Sequence, residues 1–384
     1  MSMDSASAPY ALGARCDRLR SILRECGSVC VGYSGGVDSV FLAVSAVAEL
    51  GPQNVLAVTG RSAAYPAVQR EIALECARKF GIPHIEIDTD EFADERYTAN
   101  PSNRCYYCKS ELWPKLAGVA RERGLAVVLD GSNADDAGDY RPGFAAAREN
   151  AVRSPLLEAG LTKADVRALS ARMGLPTWDQ PAAPCLSSRL PYGIAVTPAR
   201  LHAVEYAEDV LRSMGFRELR VRHHDDCLRI EIAPRELDRA FDVPVEIHER
   251  ISSANDVRVL IDVEGYRRGA LNEVLVQLGA RSTGDIPAAG DIPAAGDIPA
   301  AGDIPAAGDT AAGDAPVRDA SAGTRPHTEV PEHAVAGFHG DIAIVTGSDP
   351  VAARAAAGAL RARGFRYVAL DTAAFVTTCM RESA

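Results

Sequence analysis

VCVGY (Val29 to Tyr33), then Ser34-Gly35-Gly36-Val37-Asp38-Ser39, then an apolar run to Leu50 follow one another without interruption. The first piece is a short apolar run bounded by small residues, which predicts a buried strand. The run from Asp38 to Leu50 predicts a helix. Between them, two glycines let the backbone turn tightly and approach a ligand closely. The exposed N–H groups at the start of the helix make a site for anions, and Ser34 and Ser39 add hydroxyls. No lysine of the GxxxxGK[ST] kind is present, so the loop is not a Walker A loop.

The same alternation continues outward. NVLAVTG (Asn54 to Gly60) predicts a second strand and Pro66 to Phe80 a helix, with Pro66 suited to its first turn. HIEIDTD (His84 to Asp90) is a third strand, Lys109 to Arg123 a helix, and AVVLDGSN (Ala126 to Asn133) a fourth strand. The expected fold is α/β, a parallel sheet with helices on both faces, and ligands bind such sheets beyond the carboxyl ends of the strands. Further on, Thr162 and Asp165 predict a capping box for a helix to Arg172. A loop rich in Pro and small residues spans Asp179 to Gly193, and Thr197 caps a helix to about Met214. RELRVRHH (Arg217 to His224), CLRIEIAP (Cys227 to Pro234) and VRVLIDVEGY (Val257 to Tyr266) read as strands of a smaller α+β domain. GDIPAA then repeats four times from Gly284, a tract that cannot bury apolar surface and reads as a linker. The expected division is a nucleotide domain at 1–150, a substrate domain at 151–275, a disordered linker at 276–333 and a small α/β accessory module at 334–384. Near the end, VALDTAAF (Val368 to Phe375) echoes VLIDVEGY (Val259 to Tyr266), as a degenerate duplication would.

Composition narrows the class. The chain has 384 residues and a formal net charge of −11, which counts against a grip on a nucleic-acid backbone. Six of the acids, Asp285, Asp291, Asp297, Asp303, Asp309 and Asp314, lie in the repetitive tract, so the folded part is less acidic. No apolar run reaches the roughly 18 residues that span a bilayer. The N-terminus lacks a basic region followed by an apolar one, so a cytoplasmic protein is expected. Nine cysteines, an odd number, argue against a disulfide framework in such a protein.

Three clusters carry chemistry. Asn103-Arg104-Cys105-Tyr106-Tyr107-Cys108-Lys109 holds a CxxC pair, which brings two thiolates to one metal and leaves a tetrahedral site half filled. A redox dithiol and half of a zinc site are equally compatible with it. Cys185, in PCLSSRLPYG (Pro184 to Gly193), stands in a small-residue loop near Arg189, where a thiolate is stabilised and exposed. Arg220 and Arg222 point to the same face of one strand, an arrangement suited to a phosphate or carboxylate. Glu208 and Glu231 are placed to add metal or arginine contacts. The alternative for this run is a solvated strand face.

SGGVDS matches the PP-loop and resembles the pyrophosphate-binding motif of N-type ATP pyrophosphatases, which split ATP between the α- and β-phosphates. Together with NRCYYCK, DGSNADD (Asp130 to Asp136), PCLSSRLPYG, RVRHH, RIEI and EGYRRGALN (Glu264 to Asn272), it resembles the LarE sulfur transferases over roughly residues 12–275. The resemblance implies adenylation of a carboxylate of pyridinium-3,5-biscarboxylic acid mononucleotide, or its thiolated relative, followed by replacement of oxygen with sulfur. By the resemblance, the step belongs to the building of the nickel-pincer nucleotide cofactor of lactate racemase. By the same resemblance Ser34, Gly35, Gly36, Asp38 and Ser39 hold the ATP phosphates, with Asp38 on Mg²⁺, and Asn133 lies at the nucleotide end of the sheet. Cys185 matches the family's sulfur donor, Arg220 and Arg222 bind the substrate phosphate, and Glu208 and Glu231 serve a metal or substrate site. One family variant sacrifices its cysteine sulfur. Another has three cysteines and a [4Fe–4S] cluster that carries an extra sulfide, and Cys105, Cys108 and Cys185 favour that variant. The resemblance also implies a homo-oligomer acting on a small molecule, without nucleic acid or membrane. The rivals are another PP-loop enzyme, for tRNA thiolation or amide and nitrile formation, and a non-enzymatic adenine-nucleotide module. Residues 276–384 depart from the family and carry no function in it.

Overall fold

The computed structural model describes residues 7–138, 142–254, 257–267, 335–339, 342–345, 350–362 and 365–375. The GDIPAA tract, the end of EGYRRGALN and Cys379 lie outside the described residues. Those described form two compact units, one through His202 and the other from Ala203.

The first unit is built on four strands, β1 (Val29–Gly32), β2 (Val55–Arg61), β3 (His84–Asp88) and β4 (Val127–Leu129). They run parallel in the order β3-β2-β1-β4. Side chains alternate across a strand, and the packing follows that alternation. Val29, Val31, Val55 and Ala57 pack with Leu19 and Leu23 of α1 (Ser7–Cys26) and Val40 and Ala43 of α2 (Val37–Leu50). Cys30, Leu56, Val58 and Val128 pack instead with Trp113 and Leu116 of α5 (Arg104–Glu122). Both faces are therefore covered, as expected of an α/β parallel sheet.

Helices α3 (Ala67–Lys79), α4 (Glu95–Thr98), α6 (Gly143–Glu149), α7 (Pro155–Glu158), α8 (Lys163–Arg172) and α9 (Pro198–Ser213) complete the helix order through this region. Two of these details bear on the site. The α8 capping box is present: the Thr162 hydroxyl accepts from the Asp165 amide at 3.2 Å and Asp165 accepts from the Thr162 amide at 2.9 Å. Helix α5 begins at Arg104, five residues before the expected Lys109, so both cysteines of the CxxC lie in its first two turns. Its start is held by tertiary contacts of Arg104, described below, that local propensity does not contain.

The second unit is a six-stranded mixed sheet of β5 (Leu219–His224), β6 (Cys227–Ile232), β7 (Arg258–Asp262), β8 (Val335–His339), β9 (Ile342–Val345) and β10 (Tyr367–Asp371). The order is β5-β6-β7-β10-β9-β8. Helices α10 (Pro234–Asp242) and α11 (Pro244–Ser252) join β6 to β7, each opened by a proline that fits a first helical turn. Helix Pro350–Ala362 joins β9 to β10. The terminal segment is thus part of this sheet, through antiparallel pairing of β10 with β7. Among the described residues no helix is long and apolar enough to cross a membrane.

Candidate active site

The loop Ser34–Gly36 leaves the carboxyl end of β1 and opens α2. Gly35 has φ +71°, and a Cβ on it would sit 2.8 Å from Cβ of Ala73 in α3, so the position requires glycine. The Ser39 hydroxyl accepts from the Ser34 amide at 3.2 Å and donates to the Gly36 carbonyl at 3.1 Å. The Tyr65 phenol donates to the Ser34 carbonyl at 3.1 Å. Gly36 caps α2 without a side-chain partner, and Asp38 lies in the first turn. The start of the helix therefore offers amide donors to an anion, in a loop braced from several sides.

The loop after β4 closes on the same point. A Cβ on Gly131 would lie 3.1 Å from the Ser39 amide nitrogen, so the two backbones touch there. Asn133 is buried and its amide donates to Asp38 at 3.3 Å. Its own backbone amide donates to Asp136 at 3.0 Å. Lys163, the first residue of α8, forms an ion pair with the other oxygen of Asp38. Asp135 accepts from the Lys163 amide at 2.9 Å, which ties α8 to the β4 loop. Sequence analysis placed Asp38 and Asn133 at this end of the sheet but missed Lys163. Its one local signal was its place beside the capping residue Thr162.

The three cysteines belong to this unit. Cys105 and Cys185 are exposed and Cys108 is half-buried. Both the Cys105 and Cys108 thiols feel the charge of Cys185, and Cys108 also that of Cys105. Protein atoms crowd both sulfurs despite the exposed surface, and this burial dominates. It raises the Cys105 thiol, with Arg104 pulling the other way. It pushes the Cys108 thiol up to about 12, with Lys109 opposing it.

Arg104 is 5% exposed and its charge acts on Cys185 and Cys105. It donates to the Ser187 carbonyl at 2.9 Å and to the side chain of Asn100. Asn100, fully buried at φ +57°, donates to the carbonyls of Pro191 at 2.7 Å and Ile194 at 2.8 Å. The Tyr97 phenol is 2.7 Å from the Ser187 hydroxyl, and the Leu186 amide donates to Ala64 at 2.8 Å. These contacts hold the Cys185 loop against α4, α5 and the end of β2. Arg189, expected to stabilise the Cys185 thiolate, points its guanidinium at the carbonyls of Pro184 (2.6 Å) and Cys185 (3.3 Å). Arg104, whose charge is coupled to Cys185 and Cys105, is a buried cation of this cluster that sequence spacing did not single out. Glu91, buried with one oxygen accepting from Ser62 at 2.6 Å, adds a carboxylate whose charge reaches Cys108. Among the described residues no group of three or more His, Cys, Asp or Glu side chains is arranged to hold a metal ion.

In the second unit, Arg220, Arg222, Glu208 and Glu231 are all buried. Arg220 pairs in register with Glu231, and Arg222 with Arg229, so the four share one face of the sheet. Arg222 donates to Glu231 at 3.1 Å, Arg229 meets Glu231 at 2.8 Å, and Arg229 also pairs with Asp262. Burial raises the Asp262 carboxyl against the pull of Arg229. The Arg229 guanidinium lies 3.5 Å from the ring centre of Tyr367. Arg220 lies 5.3 Å from the ring centre of Tyr266. Glu208 accepts from the Val221 amide at 3.2 Å and pairs with Arg212 at 2.6 Å. The run is a buried ionic network, not the solvated strand face that was its alternative reading.

Known proteins resemble this arrangement in sequence. A family model described as NAD synthase matches residues 11–106, from α1 through the phosphate loop to the first turn of α5. An uncharacterized protein of Synechocystis sp. is 42% identical over 269 residues, 69% of this chain and 100% of that protein. The pyridinium-3,5-bisthiocarboxylic acid mononucleotide synthase of Lactiplantibacillus plantarum is 34% identical over 259 residues, 67% of this chain and 94% of that protein.

The chain belongs to the LarE family.

An uncharacterized protein of Methanocaldococcus jannaschii is 25% identical over 241 residues, 62% of this chain and 90% of that protein. A LarE protein built on this phosphate loop is an ATP-using enzyme.

Proposed function

We propose that this protein is an ATP-dependent sulfur transferase acting on pyridinium-3,5-biscarboxylic acid mononucleotide, or its thiolated relative, in biosynthesis of the nickel-pincer nucleotide cofactor of lactate racemase. The observation that carries the proposal is the presence, in one compact unit, of the phosphate loop and of three thiols grouped with the buried Arg104. In this reading residues 1–150 activate ATP and residues 151–275 hold the substrate and transfer sulfur.

The chain's residues have defined tasks. The amides at Ser34 to Gly36 and the hydroxyls of Ser34 and Ser39 hold the ATP phosphates. A substrate carboxylate oxygen attacks the α-phosphorus, and pyrophosphate leaves. The acyl adenylate then has a good leaving group, and attack by sulfur on its carbonyl carbon releases AMP. Asp38, oriented by Asn133, would hold Mg²⁺, which would supply charge neutralisation at the phosphates. Lys163, paired with Asp38, brings a cation to the same end of the sheet. Arg220 and Arg222 take the substrate phosphate, Arg222 in exchange with Glu231, which holds it now, and Glu208 and Glu231 keep that site ordered.

Two sulfur sources fit the thiols. Cys185 is exposed and suits a donor that gives up its own sulfur, leaving dehydroalanine. Cys105, Cys108 and Cys185 are also the donor types that would hold a [4Fe–4S] cluster, which would supply an exchangeable sulfide. Their positions here are not a ready-made metal cage.

Iron, zinc and acid-labile sulfide measured in protein purified without oxygen test the proposal. About four irons per chain, lost in Cys105→Ala, mark the cluster route. No metal, with loss of the mass of H₂S from Cys185 after turnover, marks the sacrificial route. Zinc, with no pyrophosphate release on adding the pyridinium mononucleotide, overturns the proposal in favour of an amide- or nitrile-forming relative.

A further inference from the structure

The second unit's sheet is two copies of one motif. In the first, β5 pairs antiparallel with β6, and β6 parallel with β7 across helices α10 and α11. In the second, β8 pairs antiparallel with β9, and β9 parallel with β10 across helix Pro350–Ala362. The copies meet where β7 pairs antiparallel with β10.

The register makes the junction two-fold. The echo between VLIDVEGY and VALDTAAF equates Leu260 with Ala369, Ile261 with Leu370 and Asp262 with Asp371. The observed partners are Leu260 with Asp371, Ile261 with Leu370 and Asp262 with Ala369. Each residue thus faces the equivalent of the residue that its own equivalent faces, as a two-fold axis through the Ile261–Leu370 pair requires. Arg258 of β7 pairs at 2.6 Å with Asp371, the equivalent of Asp262, so β7 carries both halves of the ion pair that crosses the seam. The copy keeps the edge and not the charges. By register, Ile344 stands where the first motif has Arg229, and Gly337 where it has Arg222.

We propose that β7 is a self-complementary edge and that the terminal segment stands in for a second copy of this chain on it. With β10 removed, β7 pairs antiparallel with β7 of another molecule, Ile261 against Ile261, and the sheet continues across the dimer. An open strand edge is a template for such pairing. The proposal does not depend on the reaction assigned above.

Two full-length variants test it, Leu370→Pro, which cannot form the β10 ladder, and Asp371→Arg, which sets like charges together at the seam. Mass is read by light scattering over a range of concentrations, with circular dichroism to confirm folding. The expected result is a two-fold rise in mass over the parent chain. Adding Ile261→Cys to the Leu370→Pro chain then gives an interchain disulfide at position 261 on oxidation, whereas Ile261→Cys alone does not. Folded variants at the parent's mass overturn the proposal, as does a dimer cross-linked at other cysteines but not at 261. Failure of both variants to fold also overturns it, because a stand-in for a second copy is not indispensable to the fold.

Discussion

Lys163 and Asp38 form an ion pair at the start of α2 although 125 positions separate them in the chain. Their side chains are 35% and 20% exposed, and a pair of that exposure contributes about 1 kcal/mol or less to stability. The arrangement keeps a cation at the phosphate site before ATP arrives. Lys163→Met is expected to shift the melting temperature by only a few degrees. It should lower substrate-dependent pyrophosphate release on the order of 100-fold, the usual loss for one fixed donor to developing charge. Equal falls in stability and rate would assign Lys163 to the fold alone.

Gly35 combines a left-handed φ of +71° with a Cβ position 2.8 Å from Ala73. Alanine there adds about 1–2 kcal/mol of backbone strain and about 1–3 kcal/mol of overpacking. Gly35→Ala should therefore lower the urea midpoint clearly and abolish ATP binding, whereas Ala73→Gly in the same chain should restore part of the midpoint. Lack of rescue would separate the strain from the contact.

Burial pushes the Cys108 thiol up to about 12. An unfolded thiol ionises near 8.5. Below that pH both states keep the proton and the group has no effect on stability. Between there and about 12 the unfolded state loses its proton first, so the folded state loses stability as pH rises. In metal-free, reduced protein, alkylation of Cys108 should stay slow at pH 8 and accelerate towards the upper end of that range. Peptide mass spectrometry after timed iodoacetamide treatment follows it, and Cys108→Ala should lessen the alkaline loss of stability.

Arg229 is 1% exposed and pairs with both Glu231 and Asp262. Arg229→Met leaves Asp262 buried without its cation and Glu231 with Arg222 alone, at a cost of about 3–5 kcal/mol. Asp262 already holds its proton more tightly than an ordinary carboxyl because it is buried. The orphaned acid is neutralised more readily as pH falls, so the variant's deficit against the parent should be larger at pH 8 than at pH 5. Urea melts at both values measure this, and a deficit independent of pH would point to lost packing instead.

Much of the first unit was legible in the chain. The strand, glycine loop and helix at Val29 to Leu50 were all announced, because apolar period and glycine placement are local properties. The alternation that followed gave the covered parallel sheet, and Thr162 with Asp165 gave the cap of α8. The spacing of Cys105, Cys108 and Cys185 marked the thiols, and the VALDTAAF echo marked a duplication. The tertiary structure alone decided which distant groups meet. Lys163 reaches Asp38 only when α8 packs beside α2. Arg104 joins the cysteine cluster through its buried bonds to Asn100 and Ser187, while Arg189 donates to the carbonyls of Pro184 and Cys185. The start of α5 at Arg104 depends on Asn100 and Ser187, which no helix propensity includes. Strand period sets which face a residue takes, but not which strand lies beside it. The placement of β10 against β7, and the burial of Arg222, Arg229 and Glu231 in one network, follow from long-range pairing and desolvation that neighbouring residues do not encode.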